Sequence, residues 1–515
     1  MSNDAKSYYI TTPIYYVNDI PHIGHAYTSL ACDVMARFKR LDGYDVHFLT
    51  GTDEHGQKVE ASAEKKGIDP KVFTDEVSQS FRDLAVAMNF SNDDFIRTTE
   101  QRHYDACQAL WERLLEKGEI YLGSYSGWYA VRDEAFYTEK EVTKDEDGVM
   151  RGPMGVEVAW VEEPSYFFKL SAWGDRLLAL YDADPDFILP KSRRNEVISF
   201  IKGGLMDLSV SRTTFNWGVP VPNDDKHIMY VWLDALTNYI TAVGYPDEEK
   251  DSYKKFWPAD LHMVGKDILR FHTIYWPAFL MAADLPTPKR VFAHGWWTNE
   301  GQKISKSLGN VISPYDLVER YGLDQTRYFL LREVPFGNDG DFAHEAMVTR
   351  MNSDLANALG NLVQRGLSMI TKNCEGKIPE SGELSAEDEK LQASVDALLS
   401  DVRSELDVQG FSRALERIWR SVSDANIYVD EQAPWALRKT DFKRMETVLF
   451  VLTDVYRKLA LVLQPYMPES TAKILDLLSV AEEQRSFDNW SDGMKAGTEL
   501  PKPAGVFPRY VEQDS

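Results

Sequence analysis

The fold is decided by three segments near the start of the chain, Ser7-Tyr8-Tyr9-Ile10-Thr11, Pro21-His22-Ile23-Gly24-His25 and Val46-His47-Phe48-Leu49-Thr50. The first and third segments are rich in β-branched and aromatic residues, which favour strands. Between them, apolar residues recur at every fourth position from about residue 23 to residue 41 and predict an amphipathic helix. A strand, a helix and a strand in this order predict a βαβ unit, and therefore a parallel sheet with a right-handed crossover.

Beyond this unit, the pattern predicts a Rossmann-type α/β fold that is interrupted once. The two halves of the parallel-sheet domain are expected at residues 1–115 and 226–295. The intervening residues 116–225 are rich in Tyr, Trp and Glu and in short alternating runs, which predict an inserted, antiparallel domain. Short apolar segments are expected to resume the parallel sheet, at residues 227–232, 261–264 and 290–294.

The C-terminal third of the chain is expected to be an all-α helix bundle. A lysine-containing loop region occupies residues 296–345, and helical periodicity dominates residues 346–515, which end in a tail. Ser385 and Asp388 have the spacing of a capping box at a helix start. The tail residues 502–509 lack a linker's hydroxyl-rich composition, so we expect them to pack against the body of the protein.

Composition and charge exclude several classes of protein. The 515 residues are 43% hydrophobic and 27% charged, which is typical of a globular chain with a large core. Three cysteines far apart in sequence exclude a disulfide framework and suit a reducing cytoplasm. We expect a protein that is neither secreted nor embedded in a membrane, because the first residues lack an apolar signal core and no apolar run approaches the ~20 residues that span a bilayer. The net charge of −24 (57 basic against 81 acidic residues) argues against non-specific nucleic-acid binding but leaves room for a local basic face.

The turn at Pro21-His22-Ile23-Gly24-His25 is a candidate phosphate site. It precedes a predicted helix, whose N-terminus carries free backbone N–H groups and partial positive charge. Gly24 removes a side chain where a nucleotide must approach, and His22 and His25 can donate to phosphate oxygens. Two capping or surface histidines are an equally good interpretation of the pair alone. A zinc site is a weaker alternative, because no third ligand is evident nearby.

A second candidate phosphate site is the loop Lys303-Ile304-Ser305-Lys306-Ser307, which has glycines on both sides. Its two lysines can supply point charges to a polyphosphate. Considered alone, the loop is better explained as an ordinary solvated basic segment. We expect residues 22–25 and 303–306 to form two cationic clusters that converge on one triphosphate.

Together, the two motifs resemble the signatures of class I aminoacyl-tRNA synthetases, HIGH at residues 22–25 and KMSKS at residues 303–307, with Ile304 in place of the usual Met. Over the whole chain the sequence is similar to the methionyl-tRNA synthetase family of the shorter bacterial type. The segments that carry this resemblance are 12–18, 51–56, 231–239, 265–268, 271–272, 361–365 and 432–435.

The resemblance implies a methionine site, and the chemistry of the residues agrees with it. A methionine side chain is unbranched, neutral and polarizable, and it needs an apolar, aromatic slot. The family implies that Tyr16 and His272 lie near the sulfur and that Asp53 holds the α-ammonium group. Each of these residues alone is better explained as core packing. The slot residues are Ile14, Tyr16, Trp232, Ala235, Leu236, Tyr239, Ile268 and His272.

The resemblance also implies an ATP site in which the methionine carboxylate attacks the α-phosphorus and methionyl-adenylate forms. Catalysis is then positioning and charge stabilisation, by His22, His25, Lys303 and Lys306, with Mg²⁺ on the ATP phosphates. Asp267 would bind the ribose, although a helix-capping role is equally compatible with its position. The ATP-binding residues implied are Gly24, Gly265, Asp267, His294, Trp297, Lys303, Ser305 and Lys306.

For tRNA, the resemblance implies recognition of the CAU anticodon of tRNA(Met) by the helical domain. Base stacking on Trp435 requires no global positive charge, although a buried bundle tryptophan is the alternative interpretation of this residue. The residues implied in anticodon binding are Asn361, Arg365, Pro434 and Trp435. Candidates for a basic face are Arg350, Arg365, Arg413, Arg417 and Arg420.

Relatives in this family often hold zinc through cysteines in the connective insertion, but this chain has no Cys between Cys107 and Cys374. We therefore expect no zinc, and an insertion held by an apolar core. We also expect a monomer, because about 35 residues after the last predicted helix are too few for an appended dimerising domain.

Three rival interpretations stay open at this point. The first is a synthetase of the same class for another apolar amino acid. The second is a nucleotidyltransferase that shares the histidine turn, and the third is a non-catalytic tRNA-binding relative.

Overall fold

The protein is described here from a computed structural model, which covers residues 6–17, 20–130, 135–137, 139–153, 155–304 and 310–512. The N-terminal part alternates strands and helices, as the sequence predicts. Its elements are β1 Ser7–Thr11, β2 Tyr15–Tyr16, α1 Ile23–Leu41, β3 Asp45–Asp53, α2 Gln57–Lys66, α3 Pro70–Ala87, β4 Asp94–Arg97 and α4 Gln101–Glu116.

The next part contains the predicted antiparallel insertion. Its elements are β5 Ile120–Ala130, β6 Ala135–Tyr137, β7 Thr143–Lys144, β8 Met150–Arg151, β9 Ala159–Phe168, α5 Gly174–Ala183, β10 Ile188–Leu189, α6 Lys191–Lys202, β11 Leu208–Ser209, β12 Ser211–Arg212 and β13 Pro220–Val221. Strands β5, β6, β9 and β11 form an antiparallel sheet. At its distal end Ala130, Val142, Val156 and Val158 form a small apolar core. By the family resemblance a cysteine knuckle would begin at residues 127–134, and of these 131–134 lie outside the described residues.

Strands and short helices then return. The elements are β14 Asp224–Met229, α7 Val231–Leu236, α8 Asn238–Thr241, α9 Asp251–Phe256, β15 Leu261–Gly265, α10 Trp276–Ala282, β16 Val291–His294, β17 Trp297–Asn299, β18 Gln302–Lys303, α11 Pro314–Tyr321, α12 Leu323–Arg332 and β19 Gly340–Phe342. A π-helical segment, Phe271–Tyr275, leads into α10.

The last part is helical. Its elements are α13 His344–Thr349, α14 Asn361–Asn373, α15 Ala386–Leu406, α16 Phe411–Gln432, α17 Pro434–Thr440, α18 Phe442–Leu463 and α19 Pro468–Leu477, with a π-helical segment Arg350–Gly360 before α14. The predicted capping box of Ser385 and Asp388 is present at the start of α15. The tail packs back as predicted: Phe507 is buried, and the backbone N–H of Tyr510 donates to Asn352.

The central sheet is parallel throughout its described pairs, in the order β10-β16-β15-β1-β3, with β2 and β4 both pairing with β3. Helix α1 connects β1 to β3 on one side, whereas β15 pairs with the other edge of β1. The strand order therefore changes direction at β1. In open parallel sheets such a switch point opens a crevice at the carboxyl ends of the strands.

Two features of this sheet differ from the prediction. The segment 227–232 was expected to be a parallel strand, but β14 is antiparallel and belongs to a separate small sheet with β12 and β13. Conversely, β10 lies inside the predicted insertion and forms an edge of the central sheet through its pairing with β16. Two-residue and six-residue strands carry too few side chains for apolar periodicity to distinguish these two environments.

One apolar core connects the nucleotide-fold helix to the bundle. Leu30, Val34 and Phe38 of α1 are completely buried in the same cluster as residues of α14 to α19. The rings of Phe38 and Phe487 lie 5.0 Å apart, and those of Phe336 and Phe411 lie 4.6 Å apart. Among the described helices, none is long and apolar enough to cross a membrane.

Candidate active site

The residues singled out from the sequence gather at the carboxyl ends of the parallel strands. Asp53 ends β3, Gly265 ends β15 and His294 ends β16. Ile14 lies just beyond β1, and α1 begins at the histidine turn. The hydroxyl of Thr28 lies 2.7 Å from Nε2 of His294, so the first turns of α1 contact the end of β16 directly.

His22 and His25 cap helix α1 and are held in one orientation by it. The backbone N–H of Gly24 donates to Nδ1 of His22, and the backbone N–H of His22 donates to Nδ1 of His25, each at 3.1 Å. Since Nδ1 accepts in both rings, the proton of each neutral imidazole lies on Nε2. A Cβ at position 24 would lie 2.9 Å from the ring of His22, so this cap requires glycine.

The histidine turn differs from the expected cationic cluster. Burial lowers the pKa of His22, against the opposing effect of the Asp267 carboxylate. Burial and the neighbouring His22 ring lower the pKa of His25 well below its ordinary value. Both rings are therefore neutral at pH 7 and offer Nε2–H donors rather than charges. The two ring centroids are 3.9 Å apart, so both donors lie at one place.

The lysine loop is described only at its edges. Lys303 lies in β18, which pairs with β17, whereas Ser305 and Lys306 lie outside the described residues. Just beyond the loop, the carbonyl of Ile312 accepts from the backbone N–H of Ile23 at 3.1 Å. The segment that follows the loop therefore lies beside the start of α1, and the convergence of the loop with the histidines stays a prediction.

Asp267 is exposed at the end of β15 and interacts with an aromatic side chain. Its Oδ1 accepts from the indole N–H of Trp296 at 3.1 Å. The ammonium group of Lys266 lies 4.3 Å above the Trp296 ring and pairs with Asp339 at 2.6 Å. A Cβ on Gly265 would lie 2.4 Å from Oδ1 of Asp267, so glycine is needed here for the carboxylate to take this position.

Trp297, which we assigned to ATP binding from the sequence, has a different environment from its neighbour. Its side chain is 6% exposed and packs against Tyr27 and Phe329 in the core. Trp296 is 47% exposed and lies beside Asp267. The surface of the nucleotide crevice at this point is therefore formed by Trp296.

The candidate methionine slot has a polar chain at its base. Nδ1–H of His272 donates to the carbonyl of Ile268 at 3.0 Å, so Nε2 accepts from the hydroxyl of Tyr239 at 2.6 Å. Burial lowers the pKa of His272 to about 4, so this ring is neutral. The ring of His262 lies 4.1 Å from Tyr239, and its Nδ1 lies 2.8 Å from the hydroxyl of Thr11.

The walls of the slot are apolar, and all of the predicted wall residues except Tyr16 lie together. Trp232 stacks on Phe271 with centroids 3.3 Å apart. Ile14, Trp232, Leu236, Tyr239 and Ile268 all belong to one apolar cluster, and Ala235 is buried beside them in α7. Tyr16 packs instead in a separate small cluster with Val17 and Val59, although β2 places it in register with the buried Asp53.

A buried hydrogen-bond network behind the slot was not assigned any role from the sequence. Asp234 accepts from His55 Nδ1 and His103 Nε2, each at 2.7 Å. Burial alone would raise the pKa of Asp234, but His55 and His103 lower it to about 2. His55 lies two residues after Asp53, and Asp234 directly precedes Ala235, so the network joins both sides of the candidate site. The sequence feature that could have indicated this network is the spacing of His103 and Cys107, which lie four residues apart on α4.

Within the described part of the chain, three residues of this network could together ligate a metal ion: His103, Cys107 and Asp234. Their potential ligand atoms lie within 4.8 Å of one another. Its contacts are hydrogen bonds: the Cys107 sulfur lies 3.2 Å from Nε2 of His103, which already donates to Asp234. The group lies outside the predicted insertion, residues 116–225. The expectation of no zinc stays a prediction.

The candidate anticodon face is formed by α14 and α17 of the bundle. Trp435 is 45% exposed, which excludes the alternative of a buried bundle tryptophan. The guanidinium of Arg365 lies 5.0 Å from its ring centroid, and Asn361 is exposed one turn earlier on α14. Pro434 is buried at the first position of α17, so it orients Trp435 rather than presenting a surface.

The proposed basic face is neutralised by carboxylates at most of its positions. Arg350 pairs with Glu333 at 2.8 Å, and Arg365 lies 3.5 Å from Asp430. Arg413 and Arg417 both interact with Glu405. These residues therefore add little net positive charge to the bundle surface.

Comparison with known proteins decides the family. The family model described as "tRNA synthetases class I (M)" matches residues 8–146 and 153–367, and the model for the anticodon binding domain of methionyl tRNA ligase matches residues 378–515. The methionine–tRNA ligase of Brucella suis is 58% identical over 510 residues, which are 99% of each chain. The chain belongs to the class I methionyl-tRNA synthetases.

Other relatives and solved structures of methionyl-tRNA synthetases agree over the full length. The methionine–tRNA ligase of Rickettsia felis is 57% identical, over 98% of this chain and 99% of its own. Mycobacterium tuberculosis methionyl-tRNA synthetase in complex with methionyl-adenylate has a TM-score of 0.96 at 53% identity, over 98% of this chain and all of that one. The apo form of the same protein has a TM-score of 0.91. This methionyl-tRNA synthetase is an aminoacyl-tRNA ligase with methionine, ATP and tRNA as substrates.

Proposed function

We propose that the crevice at the carboxyl ends of β1, β15 and β16 activates L-methionine with ATP and passes it to tRNA(Met). The observation that carries this assignment is the histidine turn at the switch point of the sheet, with two Nε2–H donors held at one place. A relative with 53% identity has been solved with methionyl-adenylate bound, which is the intermediate that this reaction requires.

In the first step a carboxylate oxygen of methionine attacks the α-phosphorus of ATP. The bond from the α-phosphorus to the bridging oxygen breaks, and its electron pair leaves with pyrophosphate. Because the nucleophile is already an anion, no general base is needed. His22 and His25 donate from Nε2 to the phosphate oxygens where charge accumulates, and Lys303, Ser305 and Lys306 supply the further cationic and hydroxyl groups. Mg²⁺ accompanies the ATP phosphates.

The nucleoside part of ATP lies along β15 and β16 in this proposal. Gly24 leaves room at the start of α1, Gly265 leaves room for the Asp267 carboxylate, and Asp267 accepts from the ribose hydroxyls. Trp296 flanks this position, while His294 and Trp297 support it from the core. In the structure Oδ1 of Asp267 accepts from the indole N–H of Trp296. When the ribose binds, one of its hydroxyls replaces this N–H as the donor to Asp267.

Methionine lies between Trp232 and the Tyr239–His272 pair. Its ammonium group binds Asp53, and its thioether lies among Ile14, Trp232, Ala235, Leu236 and Ile268. Because His272 Nε2 already accepts from the hydroxyl of Tyr239, this pair offers no hydroxyl proton to a polar side chain in the slot. We assign Tyr16 a supporting position beside Asp53 rather than a contact with the sulfur.

In the second step a 3′-terminal ribose hydroxyl of tRNA attacks the activated carbonyl. An ester forms, the carbonyl–phosphate bond breaks, and AMP leaves while the hydroxyl proton is released. Asn361, Arg365 and Trp435 read the CAU anticodon by stacking and hydrogen bonding, with Pro434 fixing the helix that carries Trp435. We expect a zinc-free monomer that works in the cytoplasm.

Amino-acid-dependent exchange of pyrophosphate into ATP tests the proposal. Methionine should support exchange, and leucine, isoleucine and valine at equal concentration should not. Exchange with one of the other amino acids would identify a sibling synthetase. Absence of exchange, together with retained tRNA binding, would identify a non-catalytic relative instead.

A further inference from the structure

The guanidinium of Arg327 on α12 is completely buried and binds three separate parts of the molecule. Nη2 donates to Oδ2 of Asp33 at 2.6 Å and to the carbonyl of Pro465 at 2.8 Å. Nη1 donates to the carbonyl of Met88 at 2.9 Å, and Nε donates to the carbonyl of Tyr466 at 3.0 Å. One side chain therefore joins α1, the loop after α3 and the end of α18.

The partner of Arg327 belongs to the helix that begins at the histidine turn. Asp33 is completely buried in the middle of α1. Its Oδ1 accepts from the backbone N–H and the hydroxyl of Ser91, each at 2.6 Å, and its Oδ2 also accepts from Arg37 at 2.8 Å. Any displacement of the bundle carbonyls is therefore opposed by the helix that carries His22 and His25.

A second bond from the same helix reaches the bundle independently. Oδ2 of Asp324, three residues before Arg327, accepts from the backbone N–H of Ser470 at 2.5 Å. Ser470 lies in the first turn of α19, so Asp324 caps this bundle helix from outside the bundle. Helix α12 thus fixes both the end of α18 and the start of α19 relative to α1.

We propose that Arg327 is a positioning residue that sets the distance between the anticodon face and the active-site crevice, so that a tRNA bound at Trp435 presents its 3′ end to the adenylate. This inference rests on the proposed function. Neither ligand site contains Arg327. Its replacement should therefore leave each site working alone and impair only the reaction that needs both, because loose tethering lowers the effective concentration of the 3′ end.

The test is Arg327→Lys, in which one ammonium group can still pair with Asp33 but cannot reach all the carbonyls that the guanidinium binds. Three quantities are measured per titrated active site: methionine-dependent pyrophosphate exchange, affinity for an anticodon stem-loop RNA, and kcat/KM for charging full-length tRNA(Met). We expect exchange and stem-loop affinity within about twofold of wild type, and at least a tenfold loss in charging. Arg332→Lys is the matched control on the same helix. Its ion pair with the exposed Glu416, at 3.4 Å, should be dispensable for all three.

Proportional losses in all three quantities would mean that Arg327 is only a folding residue and would overturn the inference. Unchanged charging would overturn it as well. If Arg327→Lys does not fold, Asp324→Asn tests the same joint with a milder change, and we expect a threefold to tenfold loss in charging alone. A wild-type enzyme without methionine-dependent exchange would overturn the proposed function itself, which is a separate outcome.

Discussion

At the scale of single residues, His22 and His25 serve structure and chemistry with different atoms. Their Nδ1 atoms accept backbone N–H groups at the start of α1. This leaves Nε2–H of each ring for a ligand. The two interpretations that the sequence left open, capping and phosphate binding, are therefore compatible, because capping fixes the tautomer that phosphate binding requires.

Replacing His22 separates the two roles. In His22→Asn, the amide oxygen can still accept from Gly24, but the Nε2 donor is lost. We expect stability within ~0.5 kcal/mol of wild type and a loss of ~100-fold or more in exchange kcat, the typical cost of one donor to developing charge. His22→Ala should lose the cap as well, at ~1 kcal/mol of stability in urea unfolding. Full exchange activity in His22→Asn would remove this residue from catalysis.

Buried neutral histidines make the fold sensitive to acid. The pKa of His272 is lowered to about 4, so between about pH 4 and pH 6.5 the unfolded chain holds a proton that the folded chain does not. The free energy of unfolding therefore falls as the pH falls through this range, by at most about 1.4 kcal/mol per pH unit for one group. Urea midpoints from pH 7 to pH 5 measure the slope. His272→Gln should reduce it, and an unchanged slope would contradict the assignment.

At the scale of elements, a long helix could be predicted from the sequence more accurately than short strands. Helix α1 agrees with its predicted bounds at both ends, because nineteen residues repeat the apolar stripe several times. The short strands β10 and β14 were misplaced. Their environment is set by which segment they pair with, and pairing depends on the rest of the fold.

The residues of the candidate site show the same contrast between positions that a sequence pattern fixes and positions that it does not. Motif residues at strand ends, such as Asp53 and Asp267, could be placed from the sequence because parallel strands align their carboxyl ends. The Asp234 network could not, because its members come from segments far apart in the sequence. The contrast between Trp296 and Trp297 could not, because a three-residue strand is too short to show a period from which burial can be read.

Helix α17 presents one exposed aromatic ring, which allows a selective test of the anticodon face. Trp435→Ala should lower kcat/KM for tRNA charging by about 10- to 100-fold, corresponding to the ~1–3 kcal/mol of one base stack. Exchange should stay within about twofold, since α17 contributes no residue to the proposed crevice. Trp435→Phe keeps an aromatic face and should recover most of the loss. Equal losses in charging and exchange would make Trp435 a folding residue.

The insertion should not need metal, since Ala130, Val142, Val156 and Val158 already form an apolar core at its end. We expect chelator-washed protein to contain no stoichiometric zinc by elemental analysis, with unchanged thermal stability. If zinc is present, the expectation is wrong, and Cys107→Ala then determines whether the buried group on α4 holds it.

At the scale of the whole molecule, we expect a monomer. The tail, which could otherwise reach a second copy, is engaged by its own chain: Tyr510 accepts at its hydroxyl from Arg320 and lies 5.6 Å from the Tyr321 ring. Light scattering at micromolar concentration should return 58.8 kDa. A mass twice as large would refute this.

The apolar cluster that includes both Phe38 and the bundle residues restricts which substitutions the two regions can accept during evolution. Two regions that fill one interior must accept or reject substitutions jointly. Exchanging the helical domain between distant lineages would bring together surfaces that never adapted to each other. Recombination at the boundary before residue 346 should therefore be tolerated poorly.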